Sequence, residues 1–110
     1  MTLSEKLSID LIHALRPVVA ALRSGRHAAL ADELERAASG TALNIAEAHG
    51  RAGRDSRRVL GIALGECREA RRNLQVAVAW GWVGDALVAE PAAVANRLGG
   101  VLVGIIRKAA

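Results

Sequence analysis

The stretch LADELERAASGTALNIAEA, residues 30–48, decides the fold class of this chain. Small and apolar residues recur in it every three or four positions, which is the period of one face of an α-helix. The residues that share this face are Leu30, Leu34, Ala37, Ala38, Thr41, Ile45 and Ala48. The pattern predicts a helix over about residues 27–50, followed by a turn at 51–53.

The segment before this helix has the same period. Thr2 and Glu5 have the spacing of a capping box, in which each side chain satisfies a free backbone donor at the start of a helix. We therefore expect a helix over residues 3–24, with a kink or break at Pro17 because proline removes one backbone hydrogen bond. Its apolar stripe consists of Leu3, Leu7, Leu11, Leu15, Val18 and Leu22.

Two further helices follow. Asp55 or Ser56 is a candidate cap for a helix over residues 55–80, and Asp85 is a candidate cap for a helix over 85–108, with a possible break at Pro91. The stripe of the third helix is Leu60, Leu64, Cys67, Leu74 and Val78, and that of the fourth is Val94, Leu98, Leu102 and Ile105.

Composition supports an all-helical chain. Hydrophobic residues make up 52% of the 110 residues, yet Phe and Tyr are absent, so Ala, Leu, Val and Ile must build the core. Ala and Leu favour helices, and the aromatic residues that enrich strands are nearly missing. We expect an all-α, up-down-up-down antiparallel four-helix bundle that forms a single domain over residues 1–110.

Several of these helices are apolar on more than one side. Helix one has a second strip of Ile9, Ile12 and Val19, and helix three has Ile62, Val76 and Trp80. One small core cannot receive both sides, so the pattern predicts a homo-oligomer. Gly61 and Gly65, four residues apart, favour the close approach of another helix there, or else reflect local tolerance of glycine.

The composition also bears on location. The single Cys67 excludes an internal disulfide, and charged residues interrupt the first ten positions, unlike a signal peptide. The longest uncharged stretches are shorter than the roughly 20 residues that cross a bilayer. The sequence therefore favours a cytoplasmic protein that does not span a membrane.

No residue pattern indicates an enzyme. His13, His27 and His49 lie on different segments, and no Glu-x-x-His pair, Ser-His-Asp order or phosphate-binding glycine loop is present, so we expect no metal, cofactor or catalytic residue. Two pairs of polar residues have helical spacing, Asn44 with Glu47 and Glu69 with Asn73. We interpret these four residues as a hydrogen-bonded network that fixes the helix register, with Arg51 or Arg71 as neutralising partners.

Two segments carry a resemblance to a known family. Residues 36–51, RAASGTALNIAEAHGR, and residues 58–69, RVLGIALGECRE, resemble the four-helix-bundle proteins encoded by 23S rRNA intervening sequences. The family's proline and glycine are replaced here by Ala42 and Ala48, and Arg71 and Arg72 stand where acidic residues are expected. The resemblance implies a ring-like homopentamer without catalytic activity. The family is also similar to the accessory protein of diversity-generating retroelements, a basic pentamer that works with nucleic acid and a reverse transcriptase.

Positive charge is the remaining functional signal. The formal net charge is +4, and Arg51, Arg54, Arg57 and Arg58 surround one turn. Arg68 and Arg72 extend the patch along helix three. We predict a non-catalytic scaffold whose arginines bind the backbone of RNA or DNA, with a protein partner such as a reverse transcriptase as a further candidate. The alternative is a protein–protein adaptor without nucleic-acid binding.

The small number of aromatic residues argues against sequence-specific recognition of nucleobases. Trp80 and Trp82 lie at the turn between helices three and four, where packing is the expected role. With Phe and Tyr absent, few rings remain for base stacking, so binding should depend on shape and charge.

Overall fold

Four helices account for nearly all of the chain. A computed structural model describes residues 1–108, in which α1 is Leu3–Ser24, α2 is Ala28–His49, α3 is Gly53–Ala79 and α4 is Asp85–Lys108. No strand occurs within these residues. The all-α prediction is confirmed.

The helices pack in chain order around one core. Each helix contacts the next along the chain, and α1 contacts α4, which closes the arrangement. The start of α1 meets the end of α2, where Thr2 Oγ1 lies 3.4 Å from His49 Nε2. The end of α1 meets the start of α2, where Arg23 bonds Asp32 at 3.0 Å. Neighbouring helices are therefore antiparallel, as the predicted bundle requires.

The predicted stripes supply most of the core. All seven stripe residues of α2 are buried, and Leu7, Leu11, Leu15, Val18 and Leu22 of α1 are at most 3% exposed. Leu3 is an exception at 49% exposure, because it lies in the first turn, where α1 begins. The half-buried members of the other stripes are Leu64, Val78, Val94 and Ile105.

The N-terminal ends of α1 and α3 are capped differently. At α1 the capping box is present: Thr2 N donates to Glu5 Oε1 at 2.9 Å, and Glu5 N donates to Thr2 Oγ1 at 3.2 Å. The backbone hydrogen bond from Thr2 lowers the pKa of Glu5. The predicted cap of α3 is wrong, because the helix begins at Gly53 and neither Asp55 nor Ser56 caps it. Ser56 donates instead to the Ala48 carbonyl at 3.0 Å and ties α3 to the end of α2.

Neither proline breaks its helix. α1 is continuous through the exposed Pro17, and α4 is continuous through the buried Pro91. The breaks expected there are not found. Each proline removes one hydrogen bond, but buried residues before and after it anchor both halves of the helix in the core.

A single chain leaves apolar surface uncovered. Ile9 is 40% exposed, Ile62 44% and Leu43 70%. By length and composition alone, α4 also qualifies as a helix that could cross a membrane, and 28% of its most apolar window is buried. The α4 residues Leu98 and Leu102 nevertheless belong to the shared core.

Candidate nucleic-acid interface

The predicted basic turn between α2 and α3 is partly neutralised. Arg51 bonds both Glu47 and Asp55, and Arg58 bonds Asp55 at 3.1 Å. The bonds from Arg51 and then Arg58 lower the pKa of Asp55, and the bond to Asp55 raises the pKa of Arg51. Two of the predicted binding arginines are therefore engaged within the chain.

Other cations of this turn remain available. Within residues 1–108, Arg54 and Arg57 form no ion pair. The end of α4 brings two more cations, Arg107 and Lys108, to the same end of the bundle. The antiparallel register sets this level: a Cβ placed on Gly99 would lie 4.0 Å from Leu64 Cδ1, whereas further along α3 Cys67 Sγ donates to the Ala95 carbonyl, earlier on α4, at 3.4 Å. The sequence analysis did not include Arg107 and Lys108 in the basic patch. Their position in the last turn of α4 was the available signal, because the end of an antiparallel neighbour lies beside the start of α3.

A groove between α3 and α4 continues from this basic end. One part of about 270 Å³ is lined by Arg68 and Arg71, with Gly99 and Gly100 among its other residues. Arg71 Nη1 donates to Asn96 Oδ1 at 2.6 Å, so this guanidinium is held by a neutral amide and not by a carboxylate. No acidic side chain lines this part of the groove within the described residues. Arg107 lies four residues after Val103, a lining residue, and so extends the same wall.

The outer ridge of α3 borders this groove. Spaced every three or four residues, its members are all exposed: Arg54, Arg58, Gly61, Gly65, Arg68, Arg72, Gln75 and Ala79. Within residues 1–108, no side chain and no part of another helix lies within 4 Å of a Cβ placed on Gly61 or Gly65. These glycines therefore accommodate no neighbouring helix within the described residues. Because they have no side chains, they leave gaps between the arginines of the ridge.

The polar network differs from the predicted one. Asn44 Nδ2 donates to Glu66 Oε1 and, at 3.0 Å, to the Gly40 carbonyl. Glu47 bonds Arg51, and Glu69 is exposed. Asn73 is buried, and its Nδ2 has no partner within residues 1–108. The predicted grouping of Asn44, Glu47, Glu69 and Asn73 is wrong, because the register of α2 against α3 places Glu66 opposite Asn44.

Gly40 makes room for this contact. A Cβ at position 40 would lie 1.6 Å from Glu66 Oε2. A close approach at a glycine therefore occurs on α2, where the Glu66 carboxylate crosses the helix surface, while the approach of another helix at Gly61 and Gly65 stays a prediction. Both residues fall within the quoted motifs, but spacing along one helix carries no information about which residues of two helices meet.

No reactive group emerges from the described residues. Burial raises the pKa of the Cys67 thiol, which keeps it protonated and a poor nucleophile. Within residues 1–108, no group of three His, Cys, Asp or Glu side chains is arranged to hold a metal ion.

The tryptophans lie at the other end of the bundle and are only partly packed. Trp82 stacks on His27 with ring centroids 3.9 Å apart, and Trp80 stacks on Trp82 at 5.8 Å. Trp82 is half-buried, as its predicted packing role requires, but Trp80 is 69% exposed. Acidic residues outnumber basic ones around the two links at this end: Asp32, Glu33, Glu35 and Asp85 against Arg23 and Arg26.

The comparisons with known proteins give one match. The family described as 23S rRNA-intervening sequence protein matches residues 5–104. The search of curated proteins and the search of solved structures each found no match.

Proposed function

Because the chain belongs to the 23S rRNA-intervening sequence protein family, we propose that it is a non-catalytic, self-associating scaffold that binds the phosphate backbone of nucleic acid along the α3–α4 groove. The observation that carries this proposal is the groove itself. Its walls bear Arg68 and Arg71 with no acidic residue among the described lining residues. Guanidinium groups in such a setting suit phosphate oxygens, which they bind through paired N–H donors.

The floor of the groove supports the same use. Gly99 and Gly100 lack side chains, so a phosphate backbone can come close to α4 between the arginines. The groove also opens toward the end that carries Arg54, Arg57 and Arg107. A polyanion following the groove from this end would meet Arg68 and Arg71 before the groove reaches Asp85 near the α3–α4 link, and repetition of the groove in an oligomer would add avidity.

The salt dependence of binding tests this proposal. Fluorescent RNA and DNA duplexes are titrated with the protein over a salt series, because each phosphate contact releases counterions and adds about 0.9 to the slope of log affinity against log salt. The groove variant is Arg68→Gln, Arg71→Gln and Arg107→Gln. We expect it to bind more weakly than wild type at low salt, with a slope smaller by roughly three.

A matched variant controls for total charge. Arg16, Arg36 and Arg97 are exposed, and within residues 1–108 none of them forms an ion pair. Replacing these three by Gln removes the same charge from other faces of the bundle, and we expect nearly wild-type binding. Equal losses in the two variants would contradict a groove-specific interface.

The second candidate is a protein–protein adaptor. The exposure of Leu43 and Ile62, two large apolar side chains on α2 and α3, favours it. An adaptor that uses an apolar surface would be much less sensitive to salt. Failure of both duplexes to bind wild type at low salt would favour the adaptor.

A further inference from the structure

We propose that Trp80 is a stacking platform for an unpaired nucleobase of a single strand whose phosphates follow the outer ridge of α3. The inference rests on the proposed function and goes beyond it, because backbone binding requires no contact with a base. It also reverses two expectations: that both tryptophans are occupied by packing, and that Trp80 is buried between subunits with the second apolar strip of α3.

Three rings form a column at this end of the bundle. The His27 and Trp82 planes are within 10° of parallel, and the Trp82 and Trp80 planes are within 12°. His27 belongs to the α1–α2 link and the tryptophans to the α3–α4 link, so the column joins two links. Trp80 is therefore supported from below by rings that are anchored in different parts of the chain.

Trp80 is the open end of this column. One face of its indole lies against Trp82, yet the side chain is 69% exposed, so its other face is free in the described chain. An indole already held in a stack loses little conformational freedom when a further ring binds. A base added there continues the stack, and such contacts are sequence-tolerant because every base has a π-face.

The charges of α3 supply the route for the strand. Arg72 precedes Trp80 by eight residues and Arg68 by twelve, or about 12 and 18 Å along the helix axis. The ridge between Arg68 and Trp80 continues through Gln75 and Ala79, which are uncharged. Arg26 and Glu33 line the groove beside Trp82 with opposite charges, and the excess of carboxylates around the two links favours a strand whose last phosphates lie at Arg68 and Arg72 and not beside Trp80. Phosphates held by Arg68 and Arg72 can therefore deliver a terminal base to Trp80.

Intrinsic fluorescence offers a direct test. The chain has two tryptophans and no tyrosine, so its emission comes from this column. Wild type is titrated at low salt with a short oligothymidylate and, separately, with an abasic oligonucleotide of the same length. We expect the oligothymidylate to quench the emission and to bind more tightly, whereas the abasic strand binds without quenching.

Two variants assign the effect to Trp80. Trp80→Leu should bind oligothymidylate about 5- to 150-fold more weakly than wild type, which is the range of one stacked base, and should bind the abasic strand equally well. Trp80→Phe keeps a ring and should retain most of the affinity. Circular dichroism checks that both variants keep their helix content, which the exposure of Trp80 favours.

The outcomes separate this inference from the proposed function. Equal affinity of wild type for the two strands, or full affinity in Trp80→Leu, would overturn base stacking while leaving backbone binding intact. Failure of both strands to bind, together with failure of the duplexes, would overturn both proposals.

Discussion

At the scale of single residues, Gly40 has the most specific role in the fold. The Glu66 carboxylate crosses α2 at this glycine and accepts a hydrogen bond from Asn44. An added methyl group has to displace that carboxylate. By contrast, Gly65 is exposed, and no side chain or other helix of the described residues lies within 4 Å of a Cβ placed there. The two glycines therefore form a matched pair for mutation.

We expect Gly40→Ala and Gly65→Ala to change stability in opposite directions. Both gain about 1 kcal/mol of helix propensity. Gly40→Ala also loses a hydrogen bond to a charged group, worth about 1.5–3 kcal/mol. Urea unfolding followed by circular dichroism at one protein concentration should find Gly65→Ala more stable than wild type and Gly40→Ala about 1 kcal/mol less stable. Equal stabilisation by both changes would show that the Asn44–Glu66 contact contributes nothing.

At the scale of elements, the carboxylate of Asp55 in the first turn of α3 neutralises part of the charge of the neighbouring arginines. Asp55 engages Arg51 and Arg58, and its lowered pKa keeps it ionised at neutral pH. Because the folded pKa is depressed, the stabilisation is complete above the unfolded pKa and is lost as pH falls through the folded pKa. Removal of this carboxylate is expected to release the Arg58 guanidinium for an external phosphate, whereas Arg51 keeps its bond to Glu47.

We expect Asp55→Asn to bind nucleic acid more tightly than wild type. The slope of log affinity against log salt should rise by roughly one as Arg58 gains a phosphate contact. Asp32→Asn is the control, because it removes the same charge at the opposite end, where Asp32 bonds Arg23. An equal gain in both variants would point to net charge, and unchanged affinity in Asp55→Asn would exclude this turn from the interface.

The helices themselves were predictable, whereas contacts between them were not. The apolar period of Leu30, Leu34 and Ile45 is local information, and it places α2 within one residue at each end. Which residue of α3 faces Asn44 depends on axial register, which periodicity does not encode. The same reason explains the omission of Arg107 from the basic end. The late start predicted for α3 has another cause, because it relied on Asp55 or Ser56 as a cap and neither residue caps the helix. The exposure of Trp80 was not predictable either, because it depends on how the α1–α2 and α3–α4 links pack against each other.

At the scale of the whole molecule, uncovered apolar surface favours self-association. Ile9 and Ile62 belong to second apolar strips on α1 and α3, and each is at least 40% exposed in the single chain. Burying the surface that such side chains still expose contributes roughly 1 kcal/mol each, so several of them are needed to hold an oligomer together. The homopentamer implied by the resemblance stays a prediction.

Light scattering in solution measures the assembly. We expect wild type to have five times the mass of one chain, and Ile9→Glu with Ile62→Glu to have a smaller mass at unchanged helix content. A monomeric wild type at micromolar concentration would exclude both the ring and the avidity that it supplies.

The unequal charges of the two bundle ends have a further consequence for how the protein meets a polyanion. With arginines around the α2–α3 link and carboxylates around the α1–α2 and α3–α4 links, the bundle is an electric dipole along its 44 Å long axis. Salt screens the field of a nucleic-acid strand beyond a few Debye lengths. At shorter distances that field exerts a torque on the dipole of the bundle. The molecule would therefore turn its arginine-rich end toward the strand before any contact forms, so orientation would precede recognition.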